Sequence, residues 1–472
     1  MNPTTPAHVV LSGAESEAYR SLRRKSVSRA ERFDLGRRLR MEVPRSALGK
    51  WKAPSDRVDP VEQIRQSHEG RLDWLIPVRV GRMVSSPYGY LRGTPNVMAG
   101  DVAGLPSTGI TPVICGDAHL GNFGFYASPE RDLVIDLNDF DEAHPGAWEW
   151  DLRRLVASVW VAGRQNGCSE AQCEKAVASC VEAYRSELRF LAGEPLLYRS
   201  YQRLDVARLH ETATEKSLRG EIARAAKRAR SSTSDRVLPR LTVQRSGHRS
   251  IVERPPLITR VSDAQAGQIG QALDDYLSTL ASHWRRALGG YTLVDVAHKV
   301  VGVGSVGLRA YVALLEGSSA GDVVFLQIKQ ARRSVVAPFV HGDSAWHAHQ
   351  GQRVVEYQQA LQTVSDPLLG WTTLDGLQFY VRQFRDMKGG IDVDAIDAKA
   401  LADYAGILGH LLGKGHARTS GASMIAGYVG GSDSLDRALC RFAQLYADQT
   451  EADHRALTRA VKRGVLPAEP VP

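Results

Sequence analysis

The chain has 472 residues, a hydrophobic fraction of 43% and a formal net charge of +8. This length suffices for two or three domains with a large core, and the hydrophobic fraction is that of a soluble globular protein. No apolar run approaches the roughly 20 residues that span a bilayer, and no basic segment precedes an apolar core near residue 1. Five cysteines form no disulfide or zinc pattern. We therefore expect neither a membrane span nor a signal peptide, and reduced thiols in a cytoplasmic protein.

Much of the positive charge lies in two stretches, residues 20–45 and 219–249. A basic balance can indicate nucleic acid, anionic lipid or phosphorylated substrates as partners. Neither stretch has regularly interleaved aromatic residues, and the chain lacks helix-turn-helix, zinc and single-strand-binding signatures. We interpret both stretches as solvated helix faces, which argues against a nucleic-acid partner.

Residues 1–110 predict an N-terminal helical and basic extension. A polar, helical pattern runs to Pro44, and a polar connection follows to about residue 70. Apolar residues then alternate with arginines through the run SPYGYLRG at residues 86–93. Arg82 and Arg92 are surface or capping residues in one interpretation and phosphate contacts in the other.

Polar residues that could act in catalysis or metal binding are densest between Cys115 and Asp151. They are Asp117, His119, Asn122, Asp136 and Asp139. Carboxylates this close together repel one another unless a cation or a donor-rich ligand compensates them. Asp and Asn oxygens suit Mg2+, which takes one or two protein carboxylates beside substrate phosphates. A polar turn is the alternative for one such cluster, but two clusters joined by a hairpin-like segment favour a metal-assisted site.

Asp117, His119 and Asn122 reproduce the D-x-H-x-x-N catalytic loop of aminoglycoside and choline phosphotransferases, which are relatives of the protein kinases. The resemblance implies that Asp117 orients or deprotonates the attacking hydroxyl group and that Asn122 binds Mg2+. The spacing from Asp to Asn also equals that of the protein-kinase catalytic loop. His119 is either a residue that supports the loop or a neutral structural histidine.

The second acidic cluster resembles the metal-binding Asp-Phe-Gly element of kinases, with Asp139-Phe140-Asp141 in its place. Asp136 competes for the metal because its distance from the catalytic loop is closer to the usual phosphotransferase spacing. We favour Asp139 because Asp151 follows it in the family's register and opens a helix. Asp151 is predicted to cap that helix, and the resemblance adds a role in bracing the catalytic loop.

Helical spacing of apolar residues predicts helices over residues 151–164, 169–192, 206–230 and 264–288. Residues 231–256 are polar and contain prolines, which predicts a loop or an exposed strand pair. We expect residues 111–288 to form a helical catalytic lobe that carries the catalytic and metal loops.

Gly302, Gly304 and Gly307 spell G-x-G-x-x-G, with Ser305 at the tip of the turn. A dinucleotide-binding site requires this motif between a strand and a helix. Here β-branched residues flank the motif on both sides, which favours a hairpin resembling a kinase Gly-rich loop, whose backbone N–H groups could approach phosphates. A plain β-hairpin is the alternative.

An apolar strand over residues 323–329 ends at Lys329. It resembles the kinase strand whose lysine contacts the α- and β-phosphates. A predicted helix from Trp346 to residue 364 carries one acidic residue, Glu356, as the candidate ion-pair partner of Lys329. A solvent-facing glutamate is the alternative. Residues 377–384 resemble the strand before the hinge, where backbone amides hold adenine, so residues 289–392 form the expected nucleotide-binding β lobe.

These parts follow one another in an order that differs from that of ordinary kinases, because the catalytic loop precedes the nucleotide-binding lobe. A predicted helix over residues 400–416 resembles the one that normally leads into the catalytic loop. It belongs to residues 393–472, the C-terminal helices that return to the catalytic lobe. We therefore predict an α+β, protein-kinase-like two-lobe fold, circularly permuted, with a small antiparallel β lobe and a large, mostly helical lobe. Permutation is tolerated where termini are close and exposed.

The run at residues 86–93, the acidic stretch, residues 301–329 and residues 380–388 together resemble a bacterial family known as domain of unknown function 2252. That family is grouped with kinase-like folds and has no settled substrate. The resemblances imply transfer of the γ-phosphoryl group of ATP, with Mg2+, to a hydroxyl of an unidentified small molecule or protein. Transfer of AMP to a protein, a nucleotide-sensing pseudokinase and a nucleic-acid-binding protein are the alternatives.

Overall fold

Short helices build the N-terminal part of the computed structural model, which describes residues 27–469 apart from 246–247, 301, 303, 320, 342–346, 385 and 420. The predicted helical pattern before residue 27 and the predicted helix start at Trp346 lie outside the described residues. The helices are α1 (Arg29–Glu42), α2 (Pro60–Gln66), α3 (Ile76–Val84), α4 (Pro87–Gly93) and α5 (Pro95–Ala103). Proline stands in the first turn of α2, α3, α4 and α5, where its fixed φ suits the helix and its missing N–H is not needed.

Two short antiparallel strand pairs carry the two acidic loops. Strand β1 (Val113–Ile114) pairs with β4 (His144–Pro145), and β2 (Phe123–Ala127) pairs with β3 (Leu133–Leu137). Residues 115–122, predicted to be catalytic and called the catalytic loop below, run from β1 to β2. Residues 138–143, predicted to bind metal and called the metal loop below, run from β3 to β4. Because both loops connect the same two strand pairs, they lie side by side.

Helices follow, and a small hairpin ends this part of the chain. They are α6 (Trp148–Gln165), α7 (Glu170–Gly193), α8 (Leu196–Tyr201), α9 (Val206–Thr212), α10 (Lys216–Arg230) and α11 (Ser234–Leu241), then β5 (Thr242–Arg245) and β6 (His248–Ile251). Ser169 caps α7 through a capping box with Gln172, which explains its sharp start. The predicted helix over residues 206–230 is interrupted between α9 and α10.

The next elements form an antiparallel sheet of six strands, in the order β11-β12-β10-β9-β8-β7. They are β7 (Ile258–Arg260), α12 (Asp263–Leu277), α13 (Ser282–Leu288), β8 (Thr292–Lys299), β9 (Ala310–Glu316), β10 (Val323–Gln330), α14 (Ala337–His341), α15 (Gln350–Leu361), β11 (Gly370–Leu374) and β12 (Leu377–Gln383). Ile269 and Tyr276 of α12 share a buried cluster with Val296 and Leu326 of the sheet. The sheet and its packing helices therefore start before the lobe boundary predicted at residues 288–289.

The C-terminal helices pack on the helices that follow the metal loop. Helix α16 (Ala398–Arg418) lies against α7, α17 (Ala422–Val429) against α1 and α7, and α18 (Ser434–Lys462) against α6. The approach of α16 to α7 is close, since a Cβ at Gly409 would collide with the carbonyl of Cys180. The predicted α+β class, with an antiparallel sheet beside a mostly helical remainder, is confirmed.

No helix in the described ranges has the length and apolarity needed to cross a bilayer. The five cysteines are all unpaired thiols. A buried ion pair links the C-terminal helices to the small sheets, because Lys414 of α16 donates to the Asp136 carboxylate of β3 at 2.9 Å, with both side chains 2% exposed.

We expect Lys414→Met to lower the free energy of unfolding by about 3–5 kcal/mol, because it leaves the Asp136 carboxylate buried without its cation. Denaturant unfolding followed by circular dichroism measures the change. Lys399→Met removes an exposed lysine from the same helix and should shift stability by less than about 0.5 kcal/mol. Equal effects of the two substitutions would contradict the stabilising role of the pair.

Candidate functional site

A cavity of about 610 Å³ is bordered by the two acidic loops, the loop between β8 and β9, and the N-terminal helices. Seven of the predicted site residues line it: Asp117, His119, Asn122, Asp139, Gly302, Gly304 and Ser305. The structure thus brings together two motifs that are far apart in sequence. Gly307, Lys329, Asp136 and Glu356 do not line the cavity.

Asp151 fixes the start of the catalytic loop. Its carboxylate accepts the backbone N–H of Cys115 at 2.7 Å and of Gly116 at 2.8 Å. The ring Nε2 of His416 in α16 lies 3.2 Å from the same carboxylate. Asp151 stands inside α6, whose N-cap is Ala147, so the predicted capping role is wrong. The carboxylate instead holds the loop to two helices.

Arg154 holds the Asp117 carboxylate in place. Its Nε lies 2.6 Å from Oδ1, and its Nη2 also donates to the Leu91 carbonyl at 2.8 Å. Burial raises the pKa of Asp117 to about 7, with Arg154 acting in the opposite direction. A carboxyl group with this pKa can accept a proton near neutral pH.

The contacts of His119 are those of a residue that holds the shape of the loop. Its Nδ1 accepts the N–H of Gly121 at 3.1 Å, and its Nε2 lies 4.0 Å from the Asp117 carboxylate. Burial, together with Arg92 and Arg154, holds the pKa of His119 well below its usual value. The imidazole is therefore neutral and shapes the turn that presents Asn122.

Asn122 joins the two acidic loops. Its side-chain Nδ2 donates to the carbonyl of Asp117 and to the carbonyl of Asp139, both at 3.0 Å. The backbone contributes a further bond from the N–H of Asn138 to the Asn122 carbonyl at 3.0 Å. The side-chain nitrogen of Asn122 is used in these two hydrogen bonds. The side-chain oxygen is therefore the atom of Asn122 that can bind a cation.

Lys329 binds both aspartates of the metal loop. Its Nζ lies 3.4 Å from Asp139 Oδ1 and 2.5 Å from Asp141 Oδ2, and the lysine is 2% exposed. Burial alone would lower the pKa of Lys329, but the two carboxylates raise it above its usual value. Burial likewise opposes ionisation of Asp139, yet Lys329 and Arg382 hold its pKa well below the usual range. Asp139, with a side chain 45% exposed, is therefore an ionised carboxylate at the cavity.

Asp141 collects three donors from the six-stranded sheet and its loop. Besides Lys329, it accepts the Ser305 hydroxyl at 3.0 Å and the Tyr380 hydroxyl at 2.9 Å. From the sequence, Asp141 belongs to an acidic cluster that needs a cation or hydrogen-bond donors nearby, and it stands where kinases have glycine. The sequence did not indicate that Lys329 is that cation.

Glu356 is not the partner of Lys329, so that prediction is wrong. Its carboxylate binds His347 Nε2 at 2.7 Å and Gln352 Nε2 at 2.8 Å. Helix α15 instead directs Arg353, which is 2% exposed, to the carbonyls of Asp141 and Ala143. The metal loop satisfies Lys329 with its own carboxylates, and the helix contributes a guanidinium to the loop's backbone.

Asp136 does not reach the cavity beside Asp139, because strand β3 directs its side chain away from it. It belongs to the five-residue strand and pairs with Lys414, whereas Asp139 follows the end of the strand and reaches the cavity. Of the two rivals, only Asp139 is placed where a ligand in the cavity could meet it.

The glycine-rich loop connects β8 to β9 and is followed by a strand. Gly302 and Gly307 have φ angles of 66° and 91°, which glycine adopts readily. Since a strand and not a helix follows Gly307, the dinucleotide-binding alternative is wrong. The N-terminal segment holds the loop, with the N–H of Leu72 donating to the Gly307 carbonyl at 2.8 Å and Arg82 donating to the Gly302 carbonyl.

The segment after β12 was expected to offer backbone amides to adenine. The N–H of Met387 donates to the Ser232 carbonyl at 3.0 Å, and that of Gly389 donates to the Phe125 carbonyl at 3.1 Å. These two amides are therefore already satisfied within the protein and do not fit that role.

The oxygen donors at the cavity suit magnesium held together with phosphate. Among the described residues, no group of three or more His, Cys, Asp or Glu is arranged to hold a metal ion by itself. Mg2+ usually takes only one or two protein carboxylates and completes its shell with water and substrate phosphates. The ionised Asp139 carboxylate and the Asn122 amide oxygen match that requirement.

Comparison with known protein families places the chain in a bacterial family. A family model described as an uncharacterized protein conserved in bacteria, DUF2252, matches residues 71–460, which is more than half of the chain. No curated protein and no solved structure matches it.

We expect Asp151→Ala to loosen the catalytic loop, because it leaves the N–H groups of Cys115 and Gly116 without an acceptor at a cost of about 1–3 kcal/mol each. Amide hydrogen exchange should become faster across residues 115–122 and stay unchanged in α12. Asp274→Ala, which removes an exposed carboxylate from α12, is the control and should leave exchange in the loop as it is. Unchanged exchange in Asp151→Ala would contradict the bracing role.

Proposed function

We propose that this chain, which belongs to the bacterial family DUF2252, is an ATP- and Mg2+-dependent phosphotransferase that moves a γ-phosphoryl group to a hydroxyl of a small molecule or protein. The family description names no activity, so the proposal rests on the site. The observation that carries it is the meeting of Lys329 with Asp139 across 190 sequence positions, beside Asp117 and Asn122.

In this proposal Asp117 accepts the proton of the attacking hydroxyl. Its carboxylate borders the cavity, and Arg154 fixes its orientation through a bond of 2.6 Å. A pKa near 7 keeps a useful fraction of Asp117 in the basic form at neutral pH. His119 contributes the shape of the loop and not a proton.

Asn122 and Asp139 are the residues that would hold Mg2+, which when bound neutralises charge on the phosphates. Lys329 lies behind the cavity surface, where it keeps Asp139 ionised and correctly placed. Gly302, Gly304 and Ser305 border the same space and are the candidates to position the phosphates. Catalysis by positioning and charge stabilisation needs this kind of rigid polar arrangement.

The order of elements supports a kinase-like arrangement with permuted connectivity. Strand β8, the glycine-rich loop, β9, the lysine strand β10, helix α15 and strands β11 and β12 follow one another as the resemblance to kinases implies. Helix α16 comes next and reaches Asp151 through His416. In this proposal, the helix that supports the catalytic loop comes after the nucleotide-binding parts, as a circular permutation requires.

Transfer of AMP is a second candidate for the same residues. The amides of Met387 and Gly389 bond within the protein, so these two groups do not hold adenine in this proposal. In AMP transfer the nucleotide binds with its α-phosphate, instead of its γ-phosphate, at the acceptor. A pseudokinase that only binds nucleotide is a weaker candidate. Asp117, the proposed base, borders the cavity, and Arg154 holds its carboxylate in place. A cytoplasmic location remains part of the proposal.

We expect Lys329→Met to reduce ATP-dependent turnover by roughly 10²-fold or more while the chain stays folded, because Asp139 and Asp141 lose their shared cation and repel each other. Steady-state ATP consumption, with circular dichroism as the folding check, measures this. Lys175→Met on the exposed face of α7 is the matched control and should retain full turnover. Unchanged turnover by the folded Lys329→Met variant would contradict the role assigned to Lys329.

We expect Asp117→Ala and Asp139→Ala to fail at different steps. Loss of Asp117 should reduce transfer by roughly 10²–10⁴-fold, the usual range for a general base, and retain Mg·ATP binding, because this carboxylate serves the acceptor. Loss of Asp139 should weaken nucleotide binding only when Mg2+ is present. Calorimetry with a non-hydrolysable ATP analogue, with and without EDTA, separates the two. Metal-dependent weakening in Asp136→Ala but not in Asp139→Ala would reverse the assignment of the metal ligand.

A further inference from the structure

Five arginines line the cavity in addition to the residues already given a role, and one of them is Arg333. The other four, Arg71, Arg79, Arg92 and Arg332, are here called the arginine cluster. Burial and the neighbouring Arg332 lower the pKa of Arg71 to about 10, and burial, Arg71 and Arg332 lower that of Arg79 well below its usual value. The charges of Arg71, Arg79 and Arg332 therefore disfavour one another in a space that is partly closed to water.

Arg79 is the most unusual member of the cluster. It is 1% exposed, and its Nη2 donates to the Gly93 carbonyl at 2.9 Å. Its Nε and Nη1 are buried and have no hydrogen-bond partner among the described residues. Arg79 also forms no ion pair with any carboxylate of the described residues. A buried guanidinium with free donors and no counterion is costly unless a ligand supplies the acceptors.

Arg92 connects the cluster to the catalytic loop. Its Nε is also buried without a partner, and its guanidinium lies 5.7 Å from the centre of the Tyr88 ring. The charge of Arg92 contributes to the low pKa of His119 in the catalytic loop. Arg154, which holds Asp117, donates to the carbonyl of Leu91, and Arg79 donates to that of Gly93. Arg79 and Arg92 therefore lie beside the segment that supports Asp117, on the side where it would meet its acceptor.

We infer that the arginine cluster binds a phosphate group of the acceptor, so that the substrate is a phosphorylated small molecule with a free hydroxyl. Guanidinium groups bind phosphate through paired, charge-assisted hydrogen bonds, and Arg79 and Arg92 have unused donors for them. The cavity of about 610 Å³ suits a small molecule. This inference rests on the proposed function for the direction of transfer, but the phosphate subsite stands on the cluster alone.

Titration calorimetry of the full chain with inorganic phosphate tests the subsite, with chloride at equal ionic strength as the blank. We expect saturable binding, weakened about tenfold or more in Arg79→Met and in Arg92→Met, since each loses charge-assisted bonds. Arg332→Met changes an exposed side chain, so it provides a variant whose folding is not at risk and should weaken binding in the same direction. Arg65→Met, an exposed arginine of α2 outside the cavity, should bind phosphate as the wild type does. No saturable binding by the wild type, or equal binding by all four variants, would overturn the subsite.

A second titration separates the acceptor's phosphate from the phosphates of the nucleotide. With Mg2+ and a saturating non-hydrolysable ATP analogue present, the acceptor assignment predicts unchanged affinity for inorganic phosphate. Loss of phosphate binding under these conditions would overturn that assignment and give the cluster to the nucleotide. Phosphate binding by a wild type that transfers nothing from ATP would overturn the proposed function and leave the subsite in place.

Discussion

The ammonium group of Lys329, held between Asp139 and Asp141, is the contact on which the arrangement of the cavity depends. It joins strand β10 of the six-stranded sheet to a loop that belongs to the small strand pairs. Ser305 and Tyr380 add hydrogen bonds to Asp141 from the same side. Neutralising two adjacent carboxylates with one buried cation fixes the loop and leaves the exposed part of Asp139 directed to the cavity. A ligand that binds there meets a charge whose position and ionisation are already set.

The opposite wall is fixed by the helical part of the chain. Asp151 binds two backbone N–H groups of the catalytic loop and contacts His416, and Tyr184 bonds the other nitrogen of that histidine at 2.9 Å. Arg154, one turn further along α6, holds Asp117. The loop is therefore positioned by α6, α7 and α16, two of which precede the sheet and one of which follows it. This support explains why distant segments of the sequence must fold together before Asp117 and Asn122 take their positions at the cavity.

Local patterns predicted most of the elements and seven residues that line the cavity, but they failed where the partner of a side chain had to be known. The spacing of Asp117 and Asn122 and the glycine motif are local, and the structure places them at one cavity. Glu356 was predicted to pair with Lys329 because it is the one acidic residue of its predicted helix, but Lys329 pairs with Asp139 and Asp141 of the metal loop. Asp136 and Asp139 differ only in whether the strand has ended, which spacing could not decide. Arg79 gave no signal, because its missing counterion is visible only in three dimensions.

The most direct measurement of the central claim is the fate of the label when wild type and Asp117→Ala are incubated with Mg2+, a small-molecule extract of bacterial cells and ATP labelled at either the α- or the γ-phosphorus. The account predicts that the wild type transfers γ-label to an acceptor, that α-label is recovered in ADP, and that Asp117→Ala transfers neither. Transfer of α-label to an acceptor would contradict phosphoryl transfer and establish AMP transfer instead. Equal transfer of γ-label by Asp117→Ala would contradict the site itself.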